Sequence, residues 1–392
     1  MIKNLQGGFS IFGSGASTIA LERWLRYWNN GCHNFQLILI LAGSCTAEVP
    51  GISAAGATAI ARRYTAIADA ELLLNGPSTL MDSPLPPLDN GVSPALLSHV
   101  AARLLGVSPI VIAVGLAKWP LFPHIRLEKT SYGPAACLST GNAMEMLRVE
   151  KLWRKGVSMG RKLQRPLVLA ECVPGGTSTA QAVLAGLGLS IGHLISSSEK
   201  NPPINLKQQL VSKGLVRSSF GDDPSPFEVI ASLGDPFQPV AAGLLIGARE
   251  VGQPVLLGGG SQMLAVLALA MSSLKPELRE RFIDGISLAT TAWLVEETSP
   301  SLAGESALEE LLNIVGMHFG VRLFGIASGL RFHKSKYQPL RDYELGFVKE
   351  GVGAGALILL AQIKEISVQE LASYCEKAMG ELEKTLNPVV DQ

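Results

Sequence analysis

The feature that most constrains this chain is a repeated unit: an uncharged aliphatic run that ends at a glycine or a glycine-rich loop, followed by a helix-like segment. Residues 35–42 (FQLILILA) lead to Gly43, 110–114 (IVIAV) to Gly115, 166–170 (PLVLA) to Glu171 and a glycine loop, and 254–257 (PVLL) to Gly258. Continuous apolar runs of this length suit strands buried on both faces, as in a parallel sheet covered by helices. Their alternation with helical segments predicts an α/β, doubly wound, mainly parallel Rossmann-like sheet.

The 392 residues allow two or three units, or one large α/β domain with an appendage. With 47% hydrophobic and 17% charged residues, the chain has the makings of a packed core, which excludes a disordered polymer. The 33 basic residues cancel the 33 acidic ones, so no overall field recruits nucleic acid or an anionic membrane, and a small-molecule partner is expected. The five cysteines (Cys32, Cys45, Cys137, Cys172, Cys375) are scattered with no C-x-x-C pair, which predicts neither a disulfide framework nor a zinc site and points to a reducing cytoplasm. No secretory leader is expected at the N-terminus. Residues 251–274 carry no charge and are long enough to span a bilayer, but Pro254 and Gly258-Gly259-Gly260 break them into a short strand, a turn and an apolar helix.

Residues 75–90 and 196–203 read as exposed loops. Helices are expected over 19–28, with Leu21, Trp24, Leu25 and Trp28 on one face, and over 367–386, where Ser367 and Glu370 make a capping box.

Three glycine-rich turns are each expected between a strand and a helix: 171–179 (ECVPGGTST), 258–261 (GGGS) and 350–355 (EGVGAG). Ligands of open parallel sheets bind where strand carboxyl ends meet helix N-termini, and glycine lets free amides approach an anion closely. Each turn could equally do no more than reverse the chain tightly. The third is placed after a strand over 345–349. There Glu350 is either a partly desolvated carboxylate suited to accept a proton near neutrality, or a loop residue pairing with Lys349. Glu171 either caps its own loop or hydrogen-bonds a sugar hydroxyl.

Other motifs fall away. No G-x-x-x-x-G-K-[ST] occurs, and the dinucleotide-like run from Gly351 to Ala356 lacks a following strand with an acidic end. Gly188-Leu-Ser190-Ile-Gly192 closes a helix-like run instead of joining a strand to a helix, which disfavours a nucleophile elbow. The six histidines show no ligand spacing, so no metal and no cofactor is expected.

These loops resemble the nicotinate-nucleotide–dimethylbenzimidazole phosphoribosyltransferases of cobalamin lower-ligand synthesis, as a divergent branch of that family, from about Phe35 to about Ile363. Residues 226–234 (PFEVIASLG) through Gly243 and on to 253–257 (QPVLL) are similar to the family's P-F-E-V, small-residue helix and P-V strand. The family's E-M-G-I-G-N-T-T is similar in spacing to Glu171, Gly175, Thr177 and Ser178, with Gly176 where the family has asparagine, and these residues are thereby implied to bind substrate. Its catalytic G-E-G-T-G-A-A resembles the stretch from Lys349 to Gly355, which makes Glu350 the catalytic residue and brings Gly351 and Gly353 to the substrate. Lys207 falls at the family's R-K pair as a phosphate or carboxylate contact. Ser53 falls in the base-binding G-V-S-A segment, and Ser328 with Gly329 at another phosphate contact.

The resemblance implies transfer of 5-phosphoribosyl from nicotinate mononucleotide to an aromatic base, in a homodimer. It implies a large phosphoribosyl-binding domain over 36–324 and a small, mostly helical domain built from the chain termini (1–35 and 325–392) that carries the catalytic loop. The sequence departs at Val173, Gly176 and Gly258, and lacks the proline and glutamine of the base segment, which leaves the accepting base open. A non-catalytic nucleotide-binding homologue, a nicotinate-mononucleotide hydrolase and, more remotely, a nicotinamide-dependent dehydrogenase are the competing readings.

Overall fold

The computed structural model describes residues 3–4, 8–31, 34–53, 55–56, 58–77, 81–196, 199–300 and 304–386. Cys32, Ala54 and parts of the two expected loops therefore lie outside the described residues.

All four aliphatic runs are strands: β3 (Gln36–Ala42), β4 (Ile110–Val114), β6 (Leu167–Cys172) and β7 (Val255–Gly258). They join β1 (Lys3–Asn4), β2 (Ser10–Phe12), β5 (Ile125–Arg126), β8 (Ile286–Thr291) and β9 (Gly325–Ser328) in one sheet of order β1-β2-β9-β8-β7-β6-β3-β4-β5. Every pairing from β9 through to β5 is parallel, and only β1 and β2 run antiparallel at one edge.

Side-chain alternation explains why the runs are apolar throughout. Ile38 and Ile40 of β3 and Leu167 and Leu169 of β6 enter a core with the helices Met146–Gly160, Gly176–Gly186, Phe237–Glu250 and Ser261–Ser272. Leu37, Leu39 and Leu41, with Val168 and Ala170, enter the opposite core with the helices Thr18–Gly31, Ala59–Asn75, Ala95–Leu105, Ala354–Ile363 and Val368–Leu386. The two terminal helices thus pack on the same face. The Ser367–Glu370 capping box forms as expected, with the Ser367 amide donating to Glu370 at 2.9 Å and the Glu370 amide to Ser367 Oγ at 3.2 Å. Helices Met146–Gly160 and Phe237–Glu250 meet along small residues, and a Cβ on Gly247 would lie 2.2 Å from the Val157 carbonyl oxygen. No helix of the described residues is long and apolar enough to cross a membrane.

Five strands escaped the aliphatic rule, the short outer β1, β2 and β5 and the inner β8 and β9. β8 (ISLATT) and β9 (GIAS) are short and rich in Ser, Thr and Gly. One expected strand is absent. Over 345–349, Leu345 ends the 3-10 turn Asp342–Leu345 and the chain then passes into left-handed backbone, with φ of 62° at Val348 and 63° at Lys349, which no strand tolerates.

The chain leaves β3 for β4 on one side and later takes up β6 on the other, so the strand order reverses beside β3. Open α/β sheets bind ligands in the crevice at such a switch point, outside the strand carboxyl ends.

Candidate functional site

A cleft of about 790 Å³ opens at that point, with Ser53, Glu171, Gly175, Thr177, Glu350 and Gly351 among its walls. A smaller chamber of about 80 Å³ shares Glu171, Thr177, Glu350 and Gly351 with it and adds Lys349 and Ser261.

The first glycine loop leaves β6 at Glu171. Gly175 takes the left-handed conformation (φ 75°) and packs so closely on the turn after β3 that a Cβ would lie 3.0 Å from Ala47 Cα. The helix Gly176–Gly186 starts there, its N-terminal end at the cleft wall. The Gly176 amide is already given to the Val173 carbonyl at 2.8 Å. Thr177 is half-buried, and its Oγ1 accepts from Lys207 Nζ at 3.0 Å. Lys207, only 1% exposed, also donates to the Ser196 carbonyl at 2.9 Å. Burial lowers its ammonium to about 8, against the pull of the Glu297 carboxylate.

The third loop spends its Gly351 and Gly355 amides on Glu350 and its Val352 amide on the Glu171 carbonyl. Oε1 accepts from the Gly351 amide at 3.0 Å, and Oε2 from the Thr291 amide at 2.9 Å and Thr290 Oγ1 at 3.2 Å. The Gly355 amide is shared between both oxygens at 3.2 Å. β8 is therefore part of the site, because its last two residues seat the carboxylate. Burial raises Glu350 to about 7, although these bonds favour the anion. Lys349 does not pair with it. That side chain turns away to Glu297 at 3.2 Å and is 3% exposed. Gly353 serves packing, since a Cβ there would lie 2.7 Å from that of Ala170.

Glu171 accepts from the Val173 amide, and burial, with the negative charge of Asp235 next, raises it to about 8. Asp69 joins the same cleft from the helix Ala59–Asn75. It is buried, accepts from Ser93 Oγ at 2.6 Å and Cys172 Sγ at 3.3 Å, and is raised by burial to about 6. The cleft wall thus carries three carboxyl groups raised by burial above the ordinary carboxylate range, Asp69 to about 6, Glu350 to about 7 and Glu171 to about 8.

Ser53 lines the cleft, its Oγ accepting from the Ala55 amide at 3.2 Å. Ser178, Ser328 and Gly329 are not among the wall residues. Ser178 and Ser328 are buried behind them, their hydroxyls without a partner among the described residues. The Gly329 amide donates to Gln362 Oε1 at 2.9 Å. No motif in the sequence marks Asp69, and Lys349 stands out there only as a neighbour that could pair with Glu350. The signal for them is charge set among apolar residues, Asp69 and Glu71 within 66–74 (AIADAELLL) and Lys349 after Phe347 and Val348.

Fold and site together define a doubly wound α/β protein with an acidic, glycine-walled ligand cleft at its switch point. A family model described as phosphoribosyltransferase matches residues 94–292. A UPF0284 protein of Prochlorococcus marinus (strain MIT 9313) is 60% identical over 95% of this chain and 92% of its own length. Another, of Parasynechococcus marenigrum (strain WH8102), is 54% identical over 97% of this chain and 96% of its own. The chain belongs to this phosphoribosyltransferase family, within the branch of UPF0284 proteins. Its fold is that of CobT from Thermus thermophilus, at a TM-score of 0.56 and 16% identity over 93% of this chain and 92% of that one. It is also that of the nicotinate-nucleotide-dimethylbenzimidazole phosphoribosyltransferase from the same organism, at a TM-score of 0.53 and 18% identity over 88% of this chain and 83% of that one.

Proposed function

We propose that the protein moves the 5-phosphoribosyl group of nicotinate mononucleotide to a ring nitrogen of an aromatic base, dimethylbenzimidazole or a related one, and releases nicotinate, acting in the cytoplasm as a homodimer. The observation that carries this reading is the seat of Glu350: a half-buried carboxylate in the cleft, fixed by three backbone amides and a hydroxyl, and raised to about 7.

The chemistry suits such a group. When the C1′–N bond of a pyridinium nucleotide breaks, its electron pair goes to the ring nitrogen, and the ring leaves as neutral pyridine without acid assistance. The incoming base donates a lone pair to C1′, and its N–H proton passes to the Glu350 carboxylate. What the protein must supply is a held anion, a cationic sugar centre shielded from water, and an aligned nucleophile. In this reading the Gly175–Gly176 helix start and Lys207 hold the anionic donor, Glu171 faces the ribose hydroxyls and Ser53 borders the base.

Incubation with nicotinate mononucleotide and a panel of aromatic bases, quantifying free nicotinate and ribosylated base, tests the proposal. Equal amounts of the two products support it. Nicotinate without ribosylated base makes the protein a hydrolase, and binding without turnover makes it a nucleotide-binding protein; either overturns it.

A further inference from the structure

The helix Ala59–Asn75 turns one face to the large cleft, where Arg62, Thr65 and Asp69 follow one another at helical spacing and all line the wall. Thr65 Oγ1 donates to the Ala55 carbonyl at 2.6 Å, and the Ala55 amide donates to Ser53 Oγ, so this face carries the Ser53 segment. Asp69 is also joined to both glutamates of the site. Cys172, which donates to its Oδ2 at 3.3 Å, follows Glu171 in β6. Ser93, which donates to its Oδ1 at 2.6 Å, precedes Pro94. Pro94 packs on the Glu350 loop so closely that a Cβ on Gly351 would lie 2.8 Å from its Cγ. Asp69 thus stands where the Ser53 segment, the Glu171 strand and the Glu350 loop meet.

Its surroundings leave it short of donors. Asp69 is 6% exposed, and its partners among the described residues are a hydroxyl and a thiol, not a cation. Of the three raised carboxyls it is raised least, to about 6, so it is the one mostly ionised at neutral pH. A carboxylate offers about four lone-pair sites, and Ser93 and Cys172 fill two of them. A buried anion with open acceptor sites is costly unless donors complete it. The protein does not supply them. The rest of the wall adds Asp89, Glu171, Glu199, Glu350 and Glu383 but, among the described residues, one cation, Arg62. Arg62 spends Nε on the Gly56 carbonyl at 2.9 Å and Nη1 on the Ala47 and Val49 carbonyls at 2.8 and 3.1 Å. A ring entering this space meets acceptors and must bring the donors.

We propose that Asp69 is a specificity-determining residue on the acceptor side of the cleft, where its open lone pairs accept a hydrogen bond from an amino or hydroxyl substituent of the aromatic base. This bond is separate from the ring N–H whose proton passes to Glu350. The inference rests on the transfer reading above and deepens it by naming the acceptor class: azoles that carry an exocyclic hydrogen-bond donor, in preference to rings substituted only with methyl groups.

The test is calorimetric titration of the full chain, wild type and D69N, at pH 8. The ligands are benzimidazole, its 5,6-dimethyl, 4-amino, 5-amino and 5-hydroxy derivatives, and ribose 5-phosphate as a probe of the donor side. Wild type should bind at least one amino or hydroxy derivative tenfold or more tightly than benzimidazole and its dimethyl derivative. In D69N that preference should shrink to within about twofold, because the amide loses the charge and replaces one acceptor oxygen with a donor. A wild type without the preference overturns the proposal whether or not D69N folds. So does a preference that D69N retains. A loss in D69N that is equal for every ring and for ribose 5-phosphate makes Asp69 a structural residue, and a loss confined to ribose 5-phosphate assigns it to the sugar; both overturn the proposal. None of these titrations needs turnover. An Asp69-dependent preference in a protein that releases no nicotinate would therefore sink the transfer reading alone, and transfer without the preference would sink only the acceptor assignment.

Discussion

The Val352 amide donates to the Glu171 carbonyl oxygen at 3.1 Å, so two glycine loops separated by almost half the chain are stitched backbone to backbone at the cleft. This bond puts the Glu350 carboxylate and the Gly175–Gly176 turn in the wall of one cavity. The two acids near one another ionise reluctantly because each is half-buried and largely desolvated, and the charge of Glu350 adds to the cost of ionising Glu171.

A base at Glu350 sets the acid limb of the pH profile. The carboxyl is raised to about 7 and works only when ionised. With an acceptor whose own nitrogen titrates elsewhere, kcat/KM for transfer should fall about tenfold per pH unit below 7 and level off above it. Steady-state rates from pH 5.5 to 9 check this.

Glu171 gives a stability signature of definite sign. Its folded-state pKa is raised, from an ordinary 4.5 to about 8, so the folded protein binds that proton more tightly than the unfolded chain. The resulting stability is complete below about pH 4.5 and drains away as the pH rises through 8. E171Q carries no such proton. Its stability relative to wild type should therefore grow between pH 5 and 8.5, by roughly 1–3 kcal/mol once its partial exposure to water is allowed for. Denaturant titrations at the two pH values measure it, and a constant offset would contradict the assignment.

Gly355 tests the seat itself. A Cβ there would lie 2.1 Å from the Thr290 carbonyl carbon and 2.5 Å from Glu350 Oε2, so the end of β8 and the carboxylate cannot both keep their places. G355A should cost about 1–3 kcal/mol and lower the transfer rate of the folded fraction more than tenfold.

Gly247 provides the contrast, since its close approach joins two helices on the sheet face away from the Glu350 loop. G247A pushes a methyl to within 2.2 Å of the Val157 carbonyl and should likewise destabilise by about 1–3 kcal/mol. Activity per folded molecule should stay unchanged, as melting curves and active-site titration would reveal.

What the sequence made legible follows from which forces act locally. β3, β4, β6 and β7 were readable because a strand buried on both faces must be apolar at every position. β8 and β9 were not. Their small polar residues give no aliphatic run to read, and their ends are shaped by partners far along the chain: Thr290 and Thr291 by Glu350, Ser328 by the close approach of Gly8 to Gly329. The segment before Glu350 looked like a strand from Phe347 and Val348, but tertiary contacts hold it left-handed, with Thr291 Oγ1 donating to the Lys349 carbonyl at 2.6 Å. Glu350 and Glu171 were singled out by the glycines beside them. Asp69 sits in a helix without such a marker, and only the folded chain brings it to the cleft.

Single-turnover release of nicotinate from bound nicotinate mononucleotide, with an accepting base present at pH 8, compares wild type with E350Q most directly. Loss of the proton acceptor should slow release by a factor of roughly 10²–10⁴ while the dissociation constant for the nucleotide changes little. Release from E350Q at the wild-type rate would remove Glu350 from the reaction and, with it, the chemistry assigned to this cleft.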